Sequence, residues 1–263
     1  MFTNHFKMTA HPFCEKPSPN AILRDERMAQ GLARLEFFLQ HGALTLITGD
    51  EGVGKSTLVR LFMDSLGKNR YRPVYVHLTR LNASSLLRLL ASTLGEAPKR
   101  GKERVLLQIL NKTQSSDLTT VFLIDEAHLL DPDVFTDLRL LTSSAFPDAH
   151  PLKIALFGHT ELKKELARSC HTALVQRICV RFHIPALSLV QTQHYIDFQL
   201  RQAGSSEKLF DEDAKNDIHE YARGIPRLIN HLATASLINA AQSNSPRVTH
   251  ALFLQTIQDI HTF

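Results

Sequence analysis

The chain has 263 residues, 43% of them hydrophobic, enough to bury one large domain or a core plus a smaller one and to exclude wholesale disorder. Thirty Lys and Arg against 26 Asp and Glu leave a net charge of +4, too small by itself to imply a polyanionic partner. Cys14, Cys170 and Cys179 have neither disulfide-framework nor metal-ligand spacing, which points to a reduced, cytoplasmic chain.

Residues 1–13 contain no long apolar run, so no secretory signal is expected. The uncharged stretch Leu228–Pro246 is interrupted by Asn230, His231, Asn239, Gln242 and Asn244. Those groups would lack partners in a bilayer, so the stretch reads as a soluble amphipathic helix and no membrane partner is expected. Charge is unevenly spread. The segment from Lys68 to Lys112 holds ten basic residues and two acids, a local +8, which leaves −4 for the rest.

Five short apolar runs read as buried parallel strands: Leu44–Thr48, Val74–Leu78, Val121–Ile124, Ile154–Phe157 and Ile178–Phe182. Helical patterns lie between them, over Ser56–Leu66, Ala83–Leu94, Val105–Lys112, Val134–Leu141 and Glu161–Ala167. This alternation predicts an α/β fold with a doubly wound, parallel, five-stranded sheet. After Pro185 the pattern is helical only. One helix is expected over Leu189–Ala203 and a second between Asp211 as N-cap and Gly224 as stop. A third starts at Pro226 and a fourth near Thr249, with loops at Gly204–Glu207 and Ser243–Pro246. The expected division is a lead-in and helix packed on the core (1–42), an α/β core (43–185) and an all-α C-terminal piece (186–263).

Gly49-Asp50-Glu51-Gly52-Val53-Gly54-Lys55-Ser56 fits G-x-x-x-x-G-K-[ST], directly after a strand and before a helix. The glycines let the backbone curl its N–H groups toward phosphates, and the helix N-terminus adds partial positive charge. Lys55 supplies a point charge for the β- and γ-phosphates, Ser56 a hydroxyl for Mg²⁺, and Thr57 completes the nucleotide-binding stretch. Seventy residues on, Val121-Phe122-Leu123-Ile124-Asp125-Glu126 places two carboxylates at a strand's C-terminal end. Asp125 can hold Mg²⁺ and Glu126 can orient the attacking water. The cofactors expected are therefore ATP and Mg²⁺. Asp125-Glu126-Ala127-His128 also spells the signature of a helicase class that needs two RecA-like domains. This chain has room for one, and His128 is read as structural.

These motifs, together with His11-Pro12-Phe13, Leu138–Thr142, Phe157–Leu162, Gln176-Arg177-Ile178 and Gly224–Asn230, resemble AAA+ ATPases of the ExeA-like and TnsC/TniB-like group. The resemblance runs over nearly the whole chain and implies a P-loop AAA+ core with a C-terminal all-α lid. It implies that His159 or Thr160 serves as sensor 1 and Arg227 as sensor 2 of the lid. It also implies an arginine finger, at Arg177 or, alternatively, Arg181, that reaches a neighbouring subunit's nucleotide. A finger acting in trans implies a homo-oligomer, either ring or helical filament.

Members of this group serve different tasks. Transposition helpers bind DNA and recruit or activate a transposase or integrase. Others assist secretion or pilus machinery at the envelope, and ExeA-type members usually add a transmembrane segment and a peptidoglycan-binding domain. The 263 residues include neither, and the +8 segment lies where TnsC-like relatives track DNA phosphates. Arg80, Lys99, Arg100, Lys102 and Arg104 are the candidate contacts to duplex DNA, through its backbone and without strong base readout. The expectation is an ATPase, stimulated by oligomerisation and DNA, that serves a transposase. The alternative is an ExeA-like ATPase of envelope assembly.

Overall fold

The computed structural model describes residues 2–14, 22–77, 80–143, 152–205 and 208–261. In chain order the elements are α1 (Phe2–His5), α2 (Glu26–His41), β1 (Leu44–Thr48), α3 (Lys55–Ser65), β2 (Tyr71–His77), α4 (Ala83–Thr93) and α5 (Lys102–Gln114). There follow β3 (Thr119–Asp125), α6 (Pro132–Leu141), β4 (Leu152–Gly158), α7 (Glu161–Leu166), α8 (Thr172–Val175) and β5 (Ile178–His183). The chain closes with α9 (Leu189–Gln202), α10 (Glu212–Ala222), α11 (Pro226–Gln242) and α12 (His250–His261). Each expected strand is present, and all but β1 are lengthened by up to three flanking residues that join the ladder. Leu78, placed in the second strand by the apolar pattern, lies outside the described residues, as do Ser206 and Glu207 of the expected loop.

The strands form one parallel sheet in the order β2-β3-β4-β1-β5. Side chains alternate between its faces. Leu44, Leu46, Phe122, Ile124, Ile154 and Leu156 join a core cluster with α4, α5, α6 and α7. The intervening Ile47, Val121, Leu123, Ala155 and Phe157 are equally buried, and α2 packs on β1 and β5 with α3 beside it. Parallel strands covered on both faces explain why the runs are continuously apolar.

The chain divides into two compact units. The α/β unit holds residues 26–50 and 55–184, so α2 belongs with it. Residues 1–25 belong instead with 51–54 and 185–263. Met8 and Phe13 are buried in the helical unit's cluster with Leu200, Ala203 and Phe210. The Thr9 N–H donates to Ala203 O at 2.8 Å, and its hydroxyl does so at 3.0 Å.

Within that helical unit, α9 opens with a capping box in which the Ser188 hydroxyl accepts from the Gln191 N–H and the Gln191 side chain accepts from the Ser188 N–H. Asp211 holds the N-cap position of α10 without a side-chain capping bond. The helix ends in two left-handed residues, Arg223 (φ 50°) and Gly224 (φ 69°). The Leu187 N–H donates to Gly224 O, and a Cβ on Gly224 would collide with Leu187 O, so only glycine fits. No helix among the described residues is long and apolar enough to cross a membrane.

Candidate nucleotide site

The parallel registers align Thr48 with Gly158 and His183, and His77 with Asp125. The loops that follow these residues thus emerge at one edge of the sheet, where open α/β folds build their sites. The glycine-rich loop leaves β1 there, with Gly49 N–H donating to Gly158 O at 3.2 Å. Gly52 (φ 79°) and Gly54 (φ 110°) adopt backbone that other residues rarely tolerate.

Lys55, in the first turn of α3, is buried, and its Nζ donates to the carbonyls of Gly49 and Asp50, each at 3.0 Å. The ammonium is thus held inside the curl of its own loop. The Ser56 hydroxyl donates to Asp125 Oδ2 at 3.0 Å, joining residues 69 positions apart. Hydroxyl and carboxylate oxygens are the hard donors Mg²⁺ prefers, and adjacent ligands of an octahedral Mg²⁺ lie about 2.9 Å apart. The pair fits that ion.

Asp125 is fully buried. Besides Ser56, its Oδ2 accepts from the Tyr75 hydroxyl at 3.0 Å, and His77 Nδ1 lies 4.0 Å away. Its Oδ1 accepts from the Glu126 N–H. Burial pushes the Tyr75 phenol well up, and the Asp125 carboxylate it faces pushes the same way, so Tyr75 stays a donor. Glu126 itself has left-handed backbone, φ 58°, an unfavourable state for a glutamate that turns its side chain off the strand direction.

Glu126 Oε2 lies 3.6 Å from His128 Nε2 and 3.8 Å from His159 Nε2, and the two rings meet edge to face at 4.3 Å. His128, expected to be structural, thus stands beside Glu126 and His159. Burial, and next the neighbouring His159 ring, push it below the ordinary histidine range and favour the neutral imidazole. The two sensor 1 candidates face different ways. His159 faces Glu126, and the Thr160 hydroxyl donates to Asp50 Oδ1 in the glycine-rich loop at 2.9 Å. Tyr75 and His77 reach this cluster through strand register, with no motif to mark them.

Residues 51–54 cluster with the helical unit. Arg227 Nη1 donates to Glu51 Oε1 at 2.6 Å, and the Arg227 N–H donates to Gly52 O at 3.3 Å. Val53 is buried. Thr57 lies one residue beyond Ser56 in α3 and is partly exposed.

The other candidates lie apart. Arg177 precedes β5 at the end opposite the loop, since Ile178 aligns with Leu44 and His183 with Thr48. At about 3.3 Å per residue, the strand puts Arg177 on the order of 15 Å from its own phosphate loop. Arg177 is exposed and donates weakly to Thr142 O at 3.4 Å, whereas Arg181 donates to Val175 O at 2.9 Å. Of the basic candidates, Lys99, Arg100 and Arg104 are exposed, and Arg80 stands 3.7 Å from Asp131. Lys102 is committed elsewhere. Its Nζ pairs at 2.9 Å with the buried Asp137.

A five-stranded parallel sheet whose glycine-rich loop, lysine, serine and paired carboxylates meet at one edge defines a P-loop ATPase fold of the AAA type. Residues 39–166 match the family model of the AAA domain. The chain is 31% identical over 257 residues to General secretion pathway protein A of Aeromonas hydrophila, covering 95% of this chain and 47% of that protein. It therefore spans about half the length of that curated relative. In fold it is similar to Cdc6p from Pyrobaculum aerophilum, with a TM-score of 0.71 at 20% identity over 90% of this chain and 67% of that one. It is also similar to a chain of Drosophila ORC bound to DNA, with a TM-score of 0.71 at 17% identity over 98% and 65% of the two chains. At such identities these structures speak for the fold alone.

Proposed function

We propose that the chain is an ExeA-like, Mg²⁺-dependent ATPase that assists assembly of a secretion machine at the cell envelope. The observation that carries the ATPase reading is the meeting of Ser56 with Asp125, beside Lys55 and Glu126. The envelope assignment is supported by the 31% identity to General secretion pathway protein A. The transposition helper expected from the charge pattern has no such support.

In this reading, residues Gly49–Gly54 and Thr57 surround the nucleotide phosphates. Lys55 exchanges its two loop carbonyls for phosphate oxygens, a gain because those oxygens are charged. Ser56 and Asp125 would hold Mg²⁺, which supplies charge neutralisation on the phosphates, while Tyr75 orients Asp125. Glu126 orients a water and accepts its proton as the water oxygen bonds to the γ-phosphorus and the bond to the β-phosphate oxygen breaks. His159 reads the state of Glu126, and Thr160 couples Asp50 to the same strand end. Arg227 takes the sensor 2 role through its pairing with the loop residue Glu51. Arg177 serves a neighbouring subunit, because it is too far from its own loop, and so requires a homo-oligomer.

The exposed Lys99, Arg100 and Arg104 are the one observation that favours the DNA-bound, transposase-serving reading. The deciding experiment is the steady-state ATPase rate of the purified chain with and without duplex DNA, beside Lys55→Ala. Hydrolysis lost in Lys55→Ala and indifferent to DNA is expected. Hydrolysis unchanged in Lys55→Ala would refute the site, and strong stimulation by DNA would return the assignment to the transposition class.

A further inference from the structure

We infer that Glu126, His128 and His159 form a binding site for a borderline transition-metal ion of the Zn²⁺ class, distinct from the Mg²⁺ site and inhibitory when filled. One ligand atom from each of the three residues lies within 4.8 Å of the others. The two carboxylate–imidazole separations converge on a single oxygen, Glu126 Oε2, at 3.6 Å and 3.8 Å from the imidazole Nε2 atoms. Two donors about 2.0–2.1 Å from a tetrahedral Zn²⁺ lie about 3.4 Å apart. The observed spacings exceed that by a few tenths of an ångström, within the play of side-chain rotation.

The chemistry of the donors separates this site from its neighbour. Ser56 and Asp125 present two hard oxygens 3.0 Å apart. Glu126, His128 and His159 present two imidazoles and one carboxylate, the donor types that suit Zn²⁺, Ni²⁺ and Co²⁺ and are poor for Mg²⁺. Two histidines and a glutamate leave a fourth position for water. The backbone supports the arrangement. Gly158 brings the start of the His159 turn against the His128 backbone, where a Cβ would lie 3.2 Å from the His128 N atom. His128 Nδ1 accepts a long bond of 3.4 Å from the His159 N–H, which leaves Nε2 directed at Glu126. Metal on Nε2 moves the ring proton to Nδ1 and gives up that weak contact.

The inhibitory consequence rests on the ATPase reading above. A metal held by Glu126 occupies the carboxylate that would orient the attacking water. ATP hydrolysis would then be set by the free transition-metal concentration even at saturating Mg²⁺.

The test separates binding from activity. The full chain, free of nucleotide and Mg²⁺, is titrated with Zn²⁺ against a chromophoric chelator, and with Co²⁺ as a visible-spectrum probe. One equivalent is expected, with a dissociation constant raised about tenfold or more in His128→Asn and in His159→Asn. Glu126→Gln should weaken it as well. Thermal melts identify any variant that fails to fold. Absence of binding by the wild type, or wild-type affinity in both histidine variants, overturns the proposal. Cys14, Cys170 and Cys179 are exposed thiols, so a triple Cys→Ser chain must keep the equivalent. Its loss there would put the metal on sulfur and also overturn the proposal. In the second arm, Zn²⁺ is added to the ATPase assay at saturating Mg²⁺, and each protein is compared with its own Zn²⁺-free rate. Inhibition is expected for wild type and should weaken about tenfold in His128→Asn. A chain with no ATPase activity at all would refute the proposed function, while the binding arm would still decide the metal site.

Discussion

Lys102 is where the charge pattern and the structure compete most directly, and a substitution there weighs one against the other. The +8 segment offers Lys102 to DNA, whereas the structure pairs its Nζ with Asp137 Oδ1 at 2.9 Å. The Asp137 side chain is 3% exposed and that of Lys102 40%. Asp137 Oδ2 has no hydrogen-bond partner, so Lys102 carries much of the compensation for that buried charge. Removing one partner of a fully buried pair costs about 3–5 kcal/mol. Here water reaches the lysine, so screening reduces the cost to about 2 kcal/mol. For a unit of this size that is a fall of about 4–8 °C in melting temperature. Lys102→Met should show it by calorimetry or circular dichroism, and Lys102→Met with Asp137→Leu should recover most of it, because the orphaned carboxylate is gone. Lys99→Ala and Arg100→Ala, at exposed positions, should melt within about 1 °C of wild type. The reasoning fails if Lys102→Met melts like wild type while losing as much affinity for a labelled duplex as the other two.

The remaining expectations concern the site and one glycine. Glu126→Gln should bind ATP as wild type does, by calorimetric titration, while hydrolysis falls by a factor of about 10²–10⁴; a normal rate removes Glu126 from the chemistry. Arg177→Ala should leave nucleotide binding by dilute protein intact and lower hydrolysis at high protein concentration by about 10³-fold or more. If Arg181→Ala behaves so and Arg177→Ala does not, the finger is Arg181. Gly224→Ala should destabilise the helical unit by more than about 1 kcal/mol, since positive φ and the Leu187 carbonyl both oppose a Cβ. An unchanged melt would show that the α10–α11 turn relaxes freely.

The sheet was legible chiefly because its central strands β1, β3 and β4 are buried on both faces and stand out as apolar runs between helical periods, while the edge strands β2 and β5 bury only part of theirs. The glycine-rich loop was legible for a different reason: its chemistry is carried by consecutive residues. The packing of the lead-in was not legible, because its scattered apolar residues, Met8 and Phe13 among them, carry no period to say what receives them. Their partners Ala203 and Phe210 lie about 200 positions away, and no local pattern encodes so remote a choice.

The same reasoning explains which half of the site stayed hidden. Asp125 and Glu126 follow four apolar residues and are found by that pattern. Tyr75 meets Asp125 because β2 lies beside β3, with His77 opposite Asp125. His128 meets His159 because β3 lies beside β4, which places both turns at one edge of the sheet. Neither meeting follows from spacing in the chain, since a tyrosine 50 positions before an aspartate and two histidines 31 positions apart are unremarkable as sequence. Strand order converts them into contacts. A P-loop motif therefore identifies the phosphate-binding half of such a site, while the residues that tune its carboxylates are set by the order of strands and become visible only when the sheet is assembled.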